Sequence, residues 1–304
     1  MTRRHLLRSC AVALITAACA TGAHPHRAAS DAADSALPPG LDLSDDVLFA
    51  GTLPPRLTAQ LLDSRFVGVA LRAPASVDLD RRSSLPLLVA SRFDGARGWA
   101  LPFDELAQLV AVEQRTGMLR VQPAFGSSKR AAAVSRGARP APDELRGFGA
   151  QLTSIDARSR LALPWQAGCW AIRLIYHDWV SNPALVRLQS GQQPAATACP
   201  APSTETRVEF KLARKGAAVR VTGRFVVPLD ALGGERTALA ATVLMVTPND
   251  GVAERVDWHI PIAPAAGAPS VSGAIDQELP LRMTTGAQVY LVLAGQVHGP
   301  QPRP

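Results

Sequence analysis

The sequence predicts a mostly β protein with two antiparallel β-sandwich domains, Ig-like or related, after an N-terminal signal and a disordered tether. Short runs of aliphatic and aromatic residues recur at a spacing of roughly ten residues, and Gly and Pro separate these runs. Few segments have helical periodicity. Because no helical pattern alternates with the strand patterns, the sequence does not indicate a parallel α/β sheet.

Residues 1–23 have the composition of an export signal. The basic segment Thr2–Arg8 precedes an apolar run that contains many alanines and ends in small residues. This run is shorter than the roughly 20 apolar residues that a membrane-spanning helix needs, so no transmembrane helix is expected. A buried N-terminal helix is the alternative, but the arginines and the polar segment that follows favour a signal.

Two motifs refine this prediction. Thr2-Arg3-Arg4-His5-Leu6-Leu7-Arg8 resembles a twin-arginine signal, which implies export of a folded protein; an ordinary secretory signal is the alternative. Ile15–Cys19 resembles a bacterial lipobox, in which Cys19 becomes the lipidated first residue, although Thr16 departs from the usual leucine. Cleavage a few residues later, without a lipid, is the alternative. A lipid on Cys19 would be the expected contact with a membrane.

Composition divides the rest of the chain into four segments. Residues 24–45 are rich in Ala, Ser, Asp and Pro without periodicity, which predicts a disordered tether. Residues 46–190 form the first β-rich domain. Residues 191–206 are small and polar and form a linker, and residues 207–298 form the second β-sandwich domain.

Within the first domain, Arg56–Ser64 is predicted as a short helix because its leucines have helical spacing. Leu109–Val121 is predicted as a hairpin that turns at residues 114–117. A helix over Asp104–Gln114 is the alternative prediction.

Cys169–Val180 is the strongest predicted strand of the first domain. Four large apolar residues alternate on one face, while Arg173 and His177 fall on the other. The turn at Ser181–Pro183 ends this strand, because proline cannot donate to the ladder.

In the second domain, polar and apolar residues alternate over residues 207–213, 219–227 and 256–260. Leu239–Val246 is almost continuously apolar, as in a central strand, and Gln288–Ala294 closes the domain.

The net charge restricts the possible partners. Without Arg3, Arg4 and Arg8 the formal charge falls from +7 to +4, and the basic residues are not interleaved with aromatic ones, so no nucleic-acid partner is expected.

Cys169 and Cys199 are the cysteines that lie outside the signal region. An exported protein meets an oxidising compartment, which favours a disulfide between these two over a pair of free thiols.

No catalytic motif was found, including the nucleophile elbow, the zinc-protease motif and the phosphate-binding loops. The weak catalytic candidates are His177, Asp178 and His259, which could act as bases or metal ligands. Neighbouring residues on a strand point to opposite faces, so His177 and Asp178 meet at one centre only if a bulge or turn intervenes. Neither a metal nor a cofactor is expected.

Trp165 and Trp179 flank the strongest strand and are weak candidates for a sugar-stacking surface, although core packing is the alternative. The sequence therefore predicts an exported bacterial protein, periplasmic or lipid-anchored, with a non-catalytic binding or structural role. Its expected partner is an envelope protein or a glycan. An exported hydrolase or metal-dependent enzyme, assembled around His177, Asp178 and His259, is the alternative.

Overall fold

The computed structural model describes Pro38, Cys199 and most of the chain from residue 41 onward. The described ranges are 41–94, 103–125, 148–176, 179–191, 205–215, 218–232, 237–246, 253–265, 267–280 and 287–301.

Sixteen strands and four short α-helices lie in these ranges, together with a 3-10 turn at Asp230–Leu232. The helices are α1 Asp45–Ala50, α2 Arg56–Asp63, α3 Phe103–Leu106 and α4 Ala157–Leu161. The strands of the first half are β1 Gly68–Arg72, β2 Ser76–Asp78, β3 Pro86–Asp94, β4 Gln108–Glu113, β5 Leu119–Pro123, β6 Phe148–Asp156, β7 Gly168–Tyr176, β8 Trp179–Val180 and β9 Ala184–Gln189. Those of the second half are β10 Arg207–Lys215, β11 Ala218–Pro228, β12 Ala238–Val246, β13 Ala253–Pro261, β14 Ser270–Leu279, β15 Gln288–Leu293 and β16 Gln296–Gln301.

The strands form four sheets, which are numbered in the order in which they stack. Sheet 1 has the order β1-β3-β6, and sheet 2 has the order β2-β9-β7-β4-β5 with β8 paired to β7. Sheet 3 has the order β13-β12-β15-β16, and sheet 4 has the order β10-β11-β14. The described pairings are antiparallel except for β2 with β9, which is parallel. The predicted fold class, mostly β with antiparallel sandwiches, is confirmed.

Each half of the chain buries its own core between two sheets. Sheets 1 and 2 enclose a large apolar cluster that includes Trp170, Ile172 and Leu174, which are at most 1% exposed. Sheets 3 and 4 enclose a second cluster around Phe225 and Val243. The alternation of inward apolar residues along each strand produces these sandwiches, because successive side chains point to opposite faces.

Helices α1 and α2 cover the outer face of sheet 1. Leu48 and Leu61 pack there against Ala70, Leu88 and Ala90. Two acidic residues in the first turn of α1 suit the positive end of its dipole, and Gly51 ends the helix with a φ of +68°, in the left-handed conformation that glycine tolerates.

Leu41 is also part of this cluster and is 2% exposed, although it falls in the segment predicted as a tether. Its side chain packs under the helices, so Leu41 contributes to the apolar layer that covers sheet 1.

Most predicted elements of the first half are present, with one correction at the strongest strand. The hairpin of β4 and β5 is confirmed, and the rival helix over Asp104–Gln114 is reduced to the short α3. The predicted strand Cys169–Val180 instead ends at Tyr176, because Tyr176 pairs with Trp179 and the chain returns along β7.

Candidate functional site at the seam between the sandwiches

The two sandwiches meet face to face along a seam, which is defined here as the apolar cluster between the outer face of sheet 2 and the outer face of sheet 3. Eight buried residues form it, and each is at most 7% exposed. They are Val110, Val112, Leu119 and Ile175 from the first half and Leu244, Val246, Tyr290 and Val292 from the second half. The four sheets and the helix layer therefore stack in the order helices, sheet 1, sheet 2, sheet 3 and sheet 4.

Sequence patterns at the seam contain a signal for this contact. The residues of β4 are buried along the whole strand, and β12 is buried at its last six positions. A strand that is apolar on both faces must be covered on both faces, so each of these strands contributes alternate residues to its own core and to the seam.

A polar network lies at one edge of the seam. Thr242 Oγ1 donates to Asp257 Oδ1 at 2.6 Å, and Arg255 donates from Nε to both carboxylate oxygens of Asp257 at 2.7 and 2.8 Å. Nη1 of Arg255 also donates to the backbone carbonyl of Leu119 in the first sandwich at 3.2 Å. Burial acts to raise the pKa of Asp257, but the hydrogen bonds from Arg255 and Thr242 outweigh it and lower this pKa.

A cleft opens beside this network and draws its walls from both sandwiches. It is shallow and open to the solvent. Its lining combines apolar residues, including Val112, Leu239 and Val292, with the polar side chains of Gln114 and Thr242.

Arg173 on β7 and His298 on β16 are two basic residues with buried nitrogen atoms. Nη1 of Arg173 donates to the carbonyl of Ser181 at 2.9 Å. Nε of Arg173 and Nε2 of His298 are buried and have no hydrogen-bond partner among the described residues. Burial lowers the pKa of Arg173 to about 10. Burial and the charge on Arg173 lower the pKa of His298 to about 4.

The weak catalytic candidates are distributed as follows. His259 is exposed and lies on the same face of β13 as Asp257, while Trp258 points towards the core of the second sandwich. His177 and Asp178 lie outside the described residues. Within the described ranges, no group of three His, Cys, Asp or Glu side chains could hold a metal ion. The enzyme alternative stays a prediction.

The two tryptophan candidates both lie against the core of the first sandwich and are partly buried. The guanidinium of Arg158 lies over the Trp165 ring at 4.2 Å from the ring centroid. Trp179 packs against Phe93, with 6.1 Å between the ring centroids. A sugar-stacking role for these residues stays a prediction.

Cys169 and Cys199 form a disulfide, as the sequence predicted. It ties the segment predicted as a linker to β7 of sheet 2. Cys19, the predicted signal and most of the predicted tether lie outside the described residues. Among the helices of the described ranges, none has the length and apolar character needed to cross a membrane.

Two groups at this site were not predicted from the sequence, namely Arg173 with His298 and the Arg255–Asp257–Thr242 network. Arg173 lies between apolar neighbours on β7, a pattern that normally indicates a solvated face. Among the described residues, the second sandwich covers part of this face. The alternation of β13 did correctly place Asp257 and His259 on one face.

Comparison with known proteins adds little to the geometry. No family model matches the chain, and no curated protein matches it. Among solved structures, the chain is similar to the C-terminal domain of the Streptococcus pyogenes antigen I/II-family protein AspA. That match has 10% sequence identity, covers 76% of this chain and 97% of the other, and has a TM-score of 0.17, so it carries no argument about fold or function.

Proposed function

We propose that this chain is an exported bacterial envelope protein, periplasmic or anchored by a lipid on Cys19, with a non-catalytic structural or binding role. The observation that carries the proposal is the stack of four sheets. Its two sandwiches share a third apolar cluster and a direct hydrogen bond from Arg255 to Leu119. Such continuous packing suits a rigid spacer or docking module, because many buried apolar side chains hold the two halves together.

The disulfide supports the exported location. Disulfides form and persist in oxidising compartments, which include the bacterial periplasm, and are rare in the cytosol. The basic and apolar pattern of residues 1–23 supports the same location independently.

The chemistry at Asp257 supports the non-catalytic role. Both of its carboxylate oxygens accept hydrogen bonds from Arg255, and its pKa is lowered. A general acid working near neutral pH needs a raised pKa, so this carboxylate is suited to an ion pair rather than to donating a proton.

Cell fractionation followed by intact-mass measurement tests the proposal. We expect a mass that lacks the signal, an oxidised Cys169–Cys199 pair, and recovery in the envelope fractions. A lipid on Cys19 adds the mass of the acyl chains, and Cys19→Ser should then shift the protein from the membrane to the soluble envelope fraction. An uncleaved, reduced chain in the cytosol would overturn the proposal.

The export route is tested with the paired variant Arg3→Lys, Arg4→Lys. A twin-arginine route predicts that this variant accumulates uncleaved in the cytosol, although the charge of the segment is unchanged. Normal processing of this variant would instead assign the ordinary secretory route.

A further inference from the structure

Sheet 4 differs from the other three sheets in what covers its outer face. Helices cover sheet 1, and sheets 2 and 3 cover each other through the seam. Among the described residues, the outer face of sheet 4 has no covering layer. Its outward residues on β10 and β14, such as Glu209, Lys211 and Asp276, are exposed.

Three ion pairs use the acidic residues on this face. Arg224 pairs with Glu209 at 2.7 Å, Arg220 with Asp276 at 2.6 Å, and Lys215 with Glu278 at 2.6 Å. The hydrogen bonds from Arg220 lower the pKa of Asp276, which keeps that carboxylate charged.

Arg207 and Lys211 add positive charge beyond these three pairs. Both are exposed on the outward face of β10, where they stand four residues apart. At a strand rise of about 3.3 Å per residue, their backbone positions are roughly 13 Å apart. The face is therefore largely polar, and it is cationic along its β10 edge.

The stack places this face far from the N-terminal end of the fold. Leu41 lies under the helix layer, and sheet 4 is at the opposite end of the stack. With about 10 Å between packed layers, roughly 40 Å separates sheet 4 from the helices. Sheet 4 is thus the sheet farthest from Leu41, the residue at which the continuously described part of the chain begins.

We propose that the outer face of sheet 4 docks a carboxylate-bearing cell-wall glycan, namely peptidoglycan; this inference rests on the exported location proposed above. Spaced carboxylates along an extended polymer complement the excess cations of β10. A second copy of the chain would bring two cationic faces together, which like-charge repulsion disfavours.

Cosedimentation of the purified, oxidised full chain with isolated peptidoglycan sacculi tests this proposal. We expect binding that weakens as salt rises, because the contact is between exposed charges. The paired variant Arg207→Gln, Lys211→Gln should weaken binding by about threefold to tenfold, since exposed ion pairs contribute up to about 1 kcal/mol each.

The matched control removes the same net charge elsewhere. Arg56 and Arg160 are exposed on α2 and α4, and the variant Arg56→Gln, Arg160→Gln should bind sacculi like the original chain. Equal losses in both variants, salt-independent sedimentation, or stronger binding to phosphatidylglycerol vesicles than to sacculi would each overturn the proposal. Fractionation reports export separately, so failed binding by an exported chain removes this inference alone.

Discussion

Arg255 of the second sandwich donates a hydrogen bond to the backbone carbonyl of Leu119 in the first sandwich, and this bond lies at the edge of the seam. The same guanidinium holds Asp257, which also accepts from Thr242. Asp257 on the same strand thus holds the Arg255 side chain in a position from which it contacts the first sandwich. The two sandwiches are therefore expected to unfold together.

Leu244→Ala tests this coupling, because Leu244 is 0% exposed and belongs to the seam rather than to either sandwich core. Loss of the buried side chain should lower the free energy of unfolding by about 2–5 kcal/mol. The measurement is chemical denaturation followed by circular dichroism. Leu62→Ala is the control, since Leu62 is 39% exposed and should change stability by about 0.5 kcal/mol or less. Similar small effects of both variants would contradict a packed seam.

The disulfide should account for a measurable share of stability. Cys169 and Cys199 are separated by 30 residues, and closing a loop of this length stabilises the fold by roughly 3–4 kcal/mol in the chain-entropy description. We expect reductant to lower the denaturation midpoint of the oxidised chain. The paired variant Cys169→Ala, Cys199→Ala should have the lower midpoint already and should not respond to reductant. If reductant does not change the denaturation midpoint of the original chain, the result would argue against the disulfide.

Acidification should destabilise the fold through His298. In the folded state its pKa is lowered to about 4 from the ordinary histidine value of 6.5, so the folded state binds fewer protons than the unfolded state. The contribution of neutral His298 is complete above pH 6.5 and is lost progressively as the pH falls towards 4. At pH 5 the loss is about 2 kcal/mol.

Variants of two histidines separate this effect from general acid sensitivity. Denaturation at pH 7 and pH 5 should show a smaller pH dependence for His298→Gln than for the original chain. His259→Gln, at an exposed position, should retain the original dependence. An unchanged pH dependence in His298→Gln would refute the assignment to His298.

The sequence was sufficient to predict those elements whose two faces differ in polarity. Ile172 and Leu174 alternate with a polar residue, and their inward direction followed directly from the strand period of two. The strand β14 was missed, because the small and polar residues of Ser270–Leu279 do not resemble a β-rich run.

The burial around Arg173 was missed for a different reason. Arginine between apolar neighbours predicts a solvated face, whereas here a second sandwich, distant in sequence, covers part of that face. Local periodicity tells which residues share a face but does not tell what lies opposite. The same limit applies to the outer face of sheet 4, whose exposure depends on the order of the four sheets.

Gly68 and Trp179 provide a test of close packing at the first sandwich. A Cβ atom on Gly68 would lie 2.7 Å from Cε3 of Trp179, and Gly68 has a φ of +128°, which is unfavourable for other residues. Gly68→Ala therefore combines backbone strain with a steric clash and should cost more than about 2 kcal/mol. Gly51→Ala separates the two effects, because Gly51 has a φ of +68° but no neighbour within 4 Å of its Cβ position. It should cost about 1 kcal/mol.

A double-mutant cycle completes this test. In the background of Trp179→Ala the clash is absent, so Gly68→Ala should then cost little more than the backbone strain alone. Thermal or chemical denaturation of the four chains gives the coupling energy between the two positions. Strict additivity of the two substitutions would mean that the indole does not rest on the Gly68 backbone. The contact with Phe93 would then be the packing that holds the indole. A strong coupling instead assigns the indole to packing against β1.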